Sequence, residues 1–516
     1  MSIVFRVFYP QVFNMFCKIN SASVFGVDML KVNVEVDISD GLPSFDMVGL
    51  LNSEVRESRE RVRTAIKNQG IALPPKRITI NLSPVDVRKT GNYFDLSIAV
   101  GILKCLGIIF PINLEDTLII GELSLNGKVN STNGILSIVS DAKGLGFKRC
   151  IVPKDNSKEG GIIEGIEVYG VDDLKDAIAL INGEFKREAA FSDIKVFYEN
   201  ASKREEKRDF KEVYGQEAIK RAAVIAACGM HHLLMIGPPG TGKSMIASRM
   251  STILPKPEIS ECIEITKIHS VAGKLKEKSF LGERPFRAPH HTITKGAMVG
   301  GGKIPEPGEI TLAHRGVLFL DELAEFRREA IDALRQPLEN KKVIISRTSG
   351  VYEFPAGIML VAATNPCKCG YYPDRNRCNC SEADVKKYFG KISGPILDRI
   401  DICVNAPLIN PEDIDENSNT LSSKEMLKMV ELGRKKQKDR YGDVRYNSEL
   451  TVNEINRFCI LEESAREMLN NFYKSQNLSM RAYYKIIKVA RTIADIDDSE
   501  IIMSPHIAEA VNYRMF

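Results

Sequence analysis

The sequence predicts a multidomain α/β protein made of an α+β segment, a wound α/β core and a helical C-terminal segment. A chain of 516 residues is too long for one ordinary hydrophobic core, so two or three domains are expected. Between residues 210 and 408, apolar strand-like runs alternate with helical patterns, as in wound α/β folds. Beyond residue 409, apolar side chains recur at helical spacing. We predict domains at 1–190, 210–408 and 409–516, and a polar linker at 191–209.

The composition is that of a globular protein, with 44% hydrophobic and 27% charged residues. A formal net charge of +4 neither requires nor excludes a nucleic-acid partner, because a basic channel can be local. We expect no membrane span, since no apolar run approaches the roughly 18 residues needed. The apolar N-terminus contains Arg6 and Pro10 and lacks the pattern of a signal peptide. A cytoplasmic protein with reduced thiols is therefore expected.

The first segment mixes predicted strands and helices. The stretch "VNVEVDIS" alternates apolar and polar residues, as a half-buried strand does. The stretch "SEVRESRERVRTAIKNQG" has the periodicity of an amphipathic helix and ends at a glycine. Further strands are expected from Arg77 and Thr117, and a helix from Phe94. In the third segment, helices are expected from Asn453 and Met480.

A phosphate-binding loop is predicted in "HLLMIGPPGTGKSMIASRM", which reads as a strand, a glycine-rich turn and a helix. The glycines let backbone N–H groups turn toward phosphates, and the helix N-terminus adds its positive end. Lys243 is expected to reach the β- and γ-phosphates of ATP, and Ser244 to ligate Mg²⁺. The predicted ATP-binding residues are Gly237, Pro238, Pro239, Gly240, Thr241, Gly242, Lys243, Ser244 and Asp321.

Two further strand ends supply the polar groups that hydrolysis needs. Asp321 and Glu322 follow the apolar run "GVLFL". Asp321 is expected to hold Mg²⁺ together with Ser244, and Glu322 to polarise the attacking water. Asn365 ends the run "GIMLVAATN" and is placed to orient the same water. The alternative, an acidic pair that only caps the next helix, fits less well downstream of a phosphate-binding loop.

Two arginines complete a pattern that resembles the AAA+ ATPases. Arg399 lies in "SGPILDRIDI" and Arg481 in "LSMRAYYKI", and a guanidinium suits a γ-phosphate because it donates two bonds. Two long motifs, "RPFRAPHHTITKGAMVGGGKIPEPGEITLAHRGVLFLDEL" and "AATNPCKCGYY", narrow the resemblance. They resemble the magnesium-chelatase-like AAA+ ATPases of the ComM/YifB family, and the similarity covers nearly the whole chain.

This resemblance implies roles and partners. The phosphate-binding loop, the acidic pair and Asn365 would work within one subunit, Arg399 would act in the neighbour's site, and Arg481 matches the second sensor. The catalytic residues are then Glu322, Asn365, Arg399 and Arg481. ATP and Mg²⁺ are the implied cofactors. The implied assembly is a homohexameric ring acting on single-stranded or branched DNA.

Two insertions mark the family. One contains "RAPHHTITKG", and the other is a hairpin, "KKVIISRTSGVYEF", with a predicted turn at Ser349-Gly350. By analogy with ring helicases, both are expected to face a central pore. The cations expected to touch a phosphate backbone are Lys295, Lys341, Lys342 and Arg347. Exposed loops with ordinary charges are the alternative. The side chains of His290 and His291 are expected to point apart, which disfavours a metal site there.

The first segment resembles the protease domain of Lon, which uses a Ser–Lys dyad. In this chain Tyr93 occupies the approximate place of the nucleophile, and Ile135 and Leu136 stand where the lysine should follow. Neither the tyrosine nor these two aliphatic residues can supply an activated hydroxyl and its base, and Ser97 is out of register. We therefore predict a non-catalytic domain that assists assembly or engages DNA.

Four cysteines are concentrated in fourteen residues directly after Asn365, namely Cys367, Cys369, Cys378 and Cys380. Four thiolates supply the complete tetrahedral shell of a structural zinc site. The Cys-x-Cys spacing is tighter than usual, so the chain must turn sharply. A redox pair, an iron–sulfur cluster or free thiols are the alternatives. We predict a structural Zn²⁺ site.

Three functions follow from these features. The leading hypothesis is a hexameric ATPase motor that promotes branch migration, or acts as a helicase, in homologous recombination during natural transformation. The first alternative is a chelatase-type ATPase that remodels a metal-insertion complex. The second is an ATP-dependent Lon-like protease, which the missing dyad disfavours.

Overall fold

The computed structural model describes residues 15–110, 113–184, 186–202, 208–275, 278–408 and 420–514. The described residues between 15 and 184 form an α+β unit. Its strands are β1 (Phe16–Phe25), β2 (Asp28–Ser39), β3 (Ser44–Val48), β4 (Arg77–Ser83), β5 (Thr117–Ile119), β6 (Glu122–Leu123), β7 (Val129–Asn130), β8 (Arg149–Pro153) and β9 (Glu167–Val171). Its helices are α1 (Ser53–Asn68), α2 (Asp95–Cys105), α3 (Ile135–Gly144), α4 (Lys154–Gly160) and α5 (Leu174–Ile181).

Seven of these strands form one mixed sheet in the order β3-β4-β2-β1-β5-β8-β9. The alternation in β2 is the pattern of a sheet with one face on the core, and its buried residues are Val32, Val34, Val36 and Ile38. Helix α2 packs on β1 and β2 and is buried along nearly its whole length. This explains why its sequence is apolar on every face.

The central part of the chain is a wound α/β unit. Its strands are β10 (Leu233–Ile236), β11 (Phe286–Arg287), β12 (Gly300–Gly301), β13 (Glu306–Pro307), β14 (Val317–Leu320), β15 (Lys342–Arg347), β16 (Gly350–Pro355), β17 (Met359–Thr364) and β18 (Ile402–Asn405). Its helices, which follow α6 (Ile194–Ser202), are α7 (Glu217–Gly229), α8 (Lys243–Ile253), α9 (Ile259–Val271), α10 (Lys295–Val299), α11 (Glu309–Leu312), α12 (Arg328–Asp332), α13 (Arg335–Asn340), α14 (Glu382–Phe389) and α15 (Gly394–Leu397).

Five strands form a parallel sheet in the order β11-β14-β17-β10-β18. Strands β10, β14 and β17 are buried at every position, as expected for a parallel sheet covered on both faces. The mixed α/β class with a parallel sheet is confirmed. Strands β15 and β16 form a separate antiparallel hairpin, and β12 and β13 form a short ribbon.

The C-terminal part is helical and consists of α16 (Ser423–Tyr441), α17 (Val452–Phe458), α18 (Glu463–Ser475), α19 (Met480–Ile496) and α20 (Ser504–Asn512). It shares one hydrophobic core with α7 and α8. Helix α16 approaches α7 closely at Gly433, where an added Cβ would lie 2.4 Å from the Cys228 sulfur. In the part of the chain that the structure describes, no helix combines the length and apolarity needed to cross a membrane.

The structure differs from the predicted secondary structure in three details. The predicted linker contains helix α6, whose Ile194 is buried and whose Phe197 ring lies 6.2 Å from that of Phe280. The helix predicted from Asn453 is two helices, α17 and α18, separated by residues 459–462. The hairpin turn is Thr348-Ser349, because Arg347 pairs with Gly350, so the predicted Ser349-Gly350 turn is one residue out. The predicted boundary at residue 409 lies outside the described residues.

Candidate active site

The predicted ATP-site groups meet at the carboxyl edge of the parallel sheet. In the register, Ile236 pairs with Thr364 and Leu320 with Ala362, so β10, β14 and β17 end nearly level. Gly237, Asp321 and Asn365 each follow one of these strand ends directly. The topology therefore brings together three segments that lie far apart in the sequence. This edge is where open α/β sheets bind their ligands.

The loop between β10 and α8 has the shape of a phosphate cradle. Gly240 and Gly242 have φ angles of +82° and +80°, which L-residues rarely adopt, and a Cβ at either would meet open space. At Gly237 the chain passes so close to Ala406 that a Cβ would lie 2.2 Å from its carbonyl oxygen. The open side of the loop faces the N-terminus of α8, where backbone N–H groups have no helical partner.

Lys243 is folded back onto this loop. Its Nζ donates to the carbonyl oxygens of Gly237 and Pro238, both at 2.7 Å, and lies 3.5 Å from Oδ1 of Asn365. Burial lowers the pKa of the Lys243 ammonium, and the charges of Asp321 and Glu322 act in the opposite direction. The ammonium thus sits between the loop and the ends of β14 and β17, where a γ-phosphate would lie.

Ser244 and Asp321 form the predicted magnesium pair. The Ser244 hydroxyl donates to Oδ2 of Asp321 at 2.5 Å, so the two oxygens converge on one point. A hydroxyl and a carboxylate are hard oxygen ligands of the type that Mg²⁺ prefers. The donor set and the cradle beside it therefore fit Mg²⁺-ATP.

Glu322 has an unusual backbone conformation, with φ +51° and ψ +48° in the left-handed region. A non-glycine residue there costs free energy and is typical of functional sites. The Glu322 side chain is 55% exposed. It is therefore free to meet a water molecule at the mouth of the loop.

Sequence reasoning missed one neighbour of this carboxylate. Nδ1 of His291 lies 3.7 Å from Oε2 of Glu322. The prediction that His290 and His291 point apart is wrong, since their ring centroids are 4.1 Å apart. The segment after β11 is not a regular extended strand, so successive side chains need not alternate. The pairing of the strands explains the contact, because β11, which leads to His291, runs parallel to β14, which leads to Glu322.

Arg399 and Arg481 lie at the opposite edge of the sheet. Arg399 precedes β18, whereas the phosphate-binding loop follows β10, the strand next to it. Four residues of strand separate the two edges by about 13 Å. Both arginines line a cavity of about 790 Å³ at the amino edge, and the described residues around it include none of 237–244. Neither arginine contacts the phosphate-binding loop of its own chain.

One carboxylate holds both arginines in this cavity. Arg399 donates through Nη2 to Glu339 Oε2, and Nη1 of Arg481 lies 3.2 Å from Glu339 Oε1. The bond from Arg399, followed by the charge of Arg481, lowers the pKa of Glu339, so it stays ionised at neutral pH. Arg399 also donates to the carbonyls of Arg335 and Pro395, and its side chain is only 13% exposed. The guanidinium must turn outward before it can meet a phosphate.

The four cysteines form a compact cluster. Their sulfurs all lie within 4.8 Å of one another, and the pair distances include 3.3, 3.5 and 3.7 Å. Four thiolates around Zn²⁺ at 2.3 Å would stand about 3.8 Å apart, so the cluster fits zinc after small side-chain adjustments. Burial disfavours the Cys367 thiolate, but the N–H of Tyr372 and other donors bring its pKa down to about 6.

The cysteine cluster is packed against the ATP site. At Gly370, an added Cβ would lie 2.6 Å from Cδ of Pro239 in the phosphate-binding loop and 3.9 Å from Cγ of Asn365. Gly370 has φ +90°, which gives the sharp turn that the Cys-x-Cys spacing requires. The segment beyond it projects Arg375 over Tyr372 and Arg377 over Tyr371.

We expect protein purified under reducing conditions without chelators to contain about one zinc per chain. Elemental analysis measures this directly. Cys369→Ser should lose most of the metal, because three thiolates leave the shell open. Cys17→Ser, which alters a cysteine outside the cluster, should retain it. Metal-free wild-type protein would contradict the prediction.

Comparison with known proteins finds relatives that match nearly the whole chain. The family described as "Magnesium chelatase, subunit ChlI" matches residues 209–414, and its C-terminal family matches 420–514. "Subunit ChlI of Mg-chelatase" matches residues 34–156. Competence protein ComM of Haemophilus influenzae is 39% identical over 500 residues, which cover 96% of each chain. YifB of Escherichia coli is 40% identical over 497 residues, again covering 96% of each chain.

The chain belongs to the magnesium-chelatase-like ComM/YifB family. It therefore carries an ATPase domain of the AAA+ type, for which ATP and Mg²⁺ are the implied cofactors. A shorter similarity is to a protease. Lon protease 2 of Bacillus subtilis is 30% identical over 146 residues, which cover 27% of this chain and 26% of the protease.

The residues predicted to stand in place of a Ser–Lys dyad are packed within the fold of the first segment. Tyr93 is half-buried, and its removal from solvent raises the pKa of its phenol to about 12. Ile135 and Leu136 are fully buried. The Leu136 N–H donates to Glu159, and that carboxylate also accepts the Ser270 hydroxyl from α9 of the ATPase domain. Helix α9 of the central unit therefore packs against this part of the first segment.

The cations predicted to contact a nucleic-acid backbone differ in whether they already have a carboxylate partner. Lys341 pairs with Glu449 at 2.5 Å and lines the arginine cavity, and Lys342 pairs with Glu353 at 3.0 Å. Lys295 and Arg347 are exposed, and no carboxylate of the described chain is within ion-pair distance of either. Arg347 Nε donates to the Gly302 carbonyl, so the two insertions lie side by side.

Proposed function

We propose that the protein is a ring-forming Mg²⁺-dependent ATP hydrolase that moves along DNA and promotes branch migration. The observation that supports assembly into a ring is the separation of the ATPase residues into two groups at opposite edges of the sheet. The loop, the acidic pair and Asn365 are at the carboxyl edge of the sheet, and Arg399 and Arg481 are at the amino edge. Each half is completed only by a second copy of the chain, which is the reason for proposing a homohexamer.

The residues at the carboxyl edge would hold Mg²⁺-ATP. The N–H groups of the loop and the Lys243 ammonium would bind the β- and γ-phosphates, and Ser244 and Asp321 would hold the metal. When bound, Mg²⁺ supplies charge neutralisation between these phosphates. Glu322 would accept a proton from the attacking water, and Asn365 would orient that water.

The residues at the amino edge would stabilise the charge that develops on the neighbour's γ-phosphate. To do so, Arg399 and Arg481 must exchange Glu339 for phosphate oxygens. A competing carboxylate keeps two cations from facing each other unpaired in the isolated subunit. Hydrolysis would then depend on assembly, because only a docked neighbour offers the phosphates.

The DNA substrate is supported by relatives and by unpaired cations on the insertions. The relative from Haemophilus influenzae is named a competence protein, which suggests a role on incoming DNA for this chain too. Lys295, Lys303 and Arg347 are exposed on the adjoining insertions. Exposed cations without a carboxylate partner are suited to a phosphate backbone. The hairpin that carries Arg347 is anchored by stacking of Tyr352 on Phe25, with ring centroids 4.2 Å apart.

A DNA experiment tests this substrate. Single-stranded and branched DNA should stimulate ATP hydrolysis, and a three- or four-way junction should be moved when ATP is present. Affinity should fall steeply with salt as counterions are released. Lys295→Ala/Lys303→Ala/Arg347→Ala should flatten the slope of log affinity against log salt by up to about three, and spare basal hydrolysis.

The matched control removes the same charge elsewhere. Lys424, Lys428 and Lys435 are exposed on α16, and replacing all three with alanine should leave the salt slope unchanged. An assembled, ATP-competent ring that neither responds to DNA nor remodels a junction would exclude the DNA motor. Stimulation by a porphyrin-binding partner instead would favour the chelatase-type alternative.

A further inference from the structure

The geometry points to His291 as the positioning residue for Glu322, the carboxylate that activates water. This inference rests on the proposed ATP hydrolysis and adds a residue to its site. His291 Nδ1 is 3.7 Å from Glu322 Oε2, just beyond hydrogen-bond distance. Such contacts are often long in the absence of substrate and tighten in the reacting complex.

The position of His291 follows from the sheet. Strand β11 pairs in parallel with β14, with Phe286 opposite Val317 and Arg287 opposite Leu318. The segments that leave these two strands therefore emerge side by side at the carboxyl edge. One begins with the acidic pair and the other leads to His291. A side chain from this neighbouring segment is well placed to control a carboxylate that the left-handed backbone turns outward.

The imidazole of His291 is held from two sides. Its ring lies 4.1 Å from that of His290, and it meets the buried Phe326 edge-on at 6.4 Å. His290 in turn is hydrogen-bonded to Thr292 at 3.0 Å. His291 is the one described side chain within ion-pair distance of the Glu322 carboxylate. A ring fixed in this way can donate one N–H to Glu322 and limit the directions in which the carboxylate points.

The position of His291 also connects the first insertion to the Glu322 carboxylate. Thr294 caps α10 through a bond to the Ala297 N–H, and Met298 of that helix is fully buried. The segment from His290 to Met298 is thus short and fixed at its far end by the buried Met298, and it carries His291 near its start. Its exposed Lys295 is one of the cations assigned above to DNA. Displacement of this segment would alter the direction of the Glu322 carboxylate.

Steady-state ATPase kinetics of four proteins test the role: wild type, His291→Ala, His291→Gln and His290→Ala. His291→Ala should lower kcat about tenfold, a part of the 10²–10⁴ that a positioned base supplies, and leave KM for ATP within about twofold. His291→Gln should recover much of the rate, because its amide keeps an N–H donor. His290→Ala removes one of the two rings that hold His291 but keeps the imidazole that faces Glu322, so it should lower kcat less than His291→Ala does.

A double-mutant cycle separates this inference from the proposed function. In a Glu322→Gln background, His291→Ala should have no further effect, because a positioning residue acts only through its partner. Additive losses, a normal kcat in His291→Ala, or a loss confined to KM would overturn the inference. If Glu322→Gln itself hydrolyses ATP normally, the proposed function fails as well. Thermal unfolding of each variant shows whether a loss reflects misfolding.

Discussion

Glu322→Gln is expected to bind ATP with near wild-type affinity and to lose about 10²–10⁴-fold in hydrolysis, because glutamine cannot accept the proton of the attacking water. The side chain keeps its volume, and the Glu322 backbone keeps its left-handed conformation. ATP-bound rings should therefore accumulate. Nucleotide affinity, single-turnover hydrolysis and the mass of the assembly in the presence of ATP measure the three effects.

Two further variants serve as comparisons for Glu322→Gln. Lys243→Ala removes the ammonium that lies between the loop and Asn365 and should abolish nucleotide binding itself. Glu325→Gln alters an exposed carboxylate only three residues away that pairs with Lys391 instead, and should hydrolyse ATP normally. Equal rates for wild type and Glu322→Gln would show that the catalytic carboxylate is misassigned.

Arg399→Ala should abolish most ATP hydrolysis, by about 10³-fold or more, and leave ATP binding intact. The reason is its place at the amino edge, where it lines the cavity with Arg481 and contacts no part of its own phosphate-binding loop. Mixing Arg399→Ala with Lys243→Ala subunits should restore part of the activity. A mixed ring pairs an intact loop on one subunit with an intact arginine on its neighbour.

The control for this experiment is Arg328→Ala, which removes a surface arginine that is 76% exposed on α12. It should hydrolyse ATP at the wild-type rate. Mixed assembly must be confirmed by differently tagged subunits. If mixed rings form and no mixing ratio restores hydrolysis, Arg399 does not act between subunits.

The sequence alone identified the nucleotide chemistry, because that chemistry depends on local patterns. The phosphate-binding loop needs glycines at fixed spacing, and a buried parallel strand needs a short apolar run, so Lys243, Asp321 and Asn365 could be found without coordinates. The four cysteines were found in the same way. Their grouping within one loop brings the sulfurs to within 4.8 Å of one another.

Tertiary structure decided what depends on contacts between distant segments. The spacing of His291 and Glu322 along the chain says nothing about their approach, which follows from the pairing of β11 with β14. The attachment of Arg399 and Arg481 to Glu339 required the helical C-terminal part to pack beside α13. The ion pairs of Lys341 and Lys342 depend on side-chain directions that periodicity does not contain, because each pair joins two different elements.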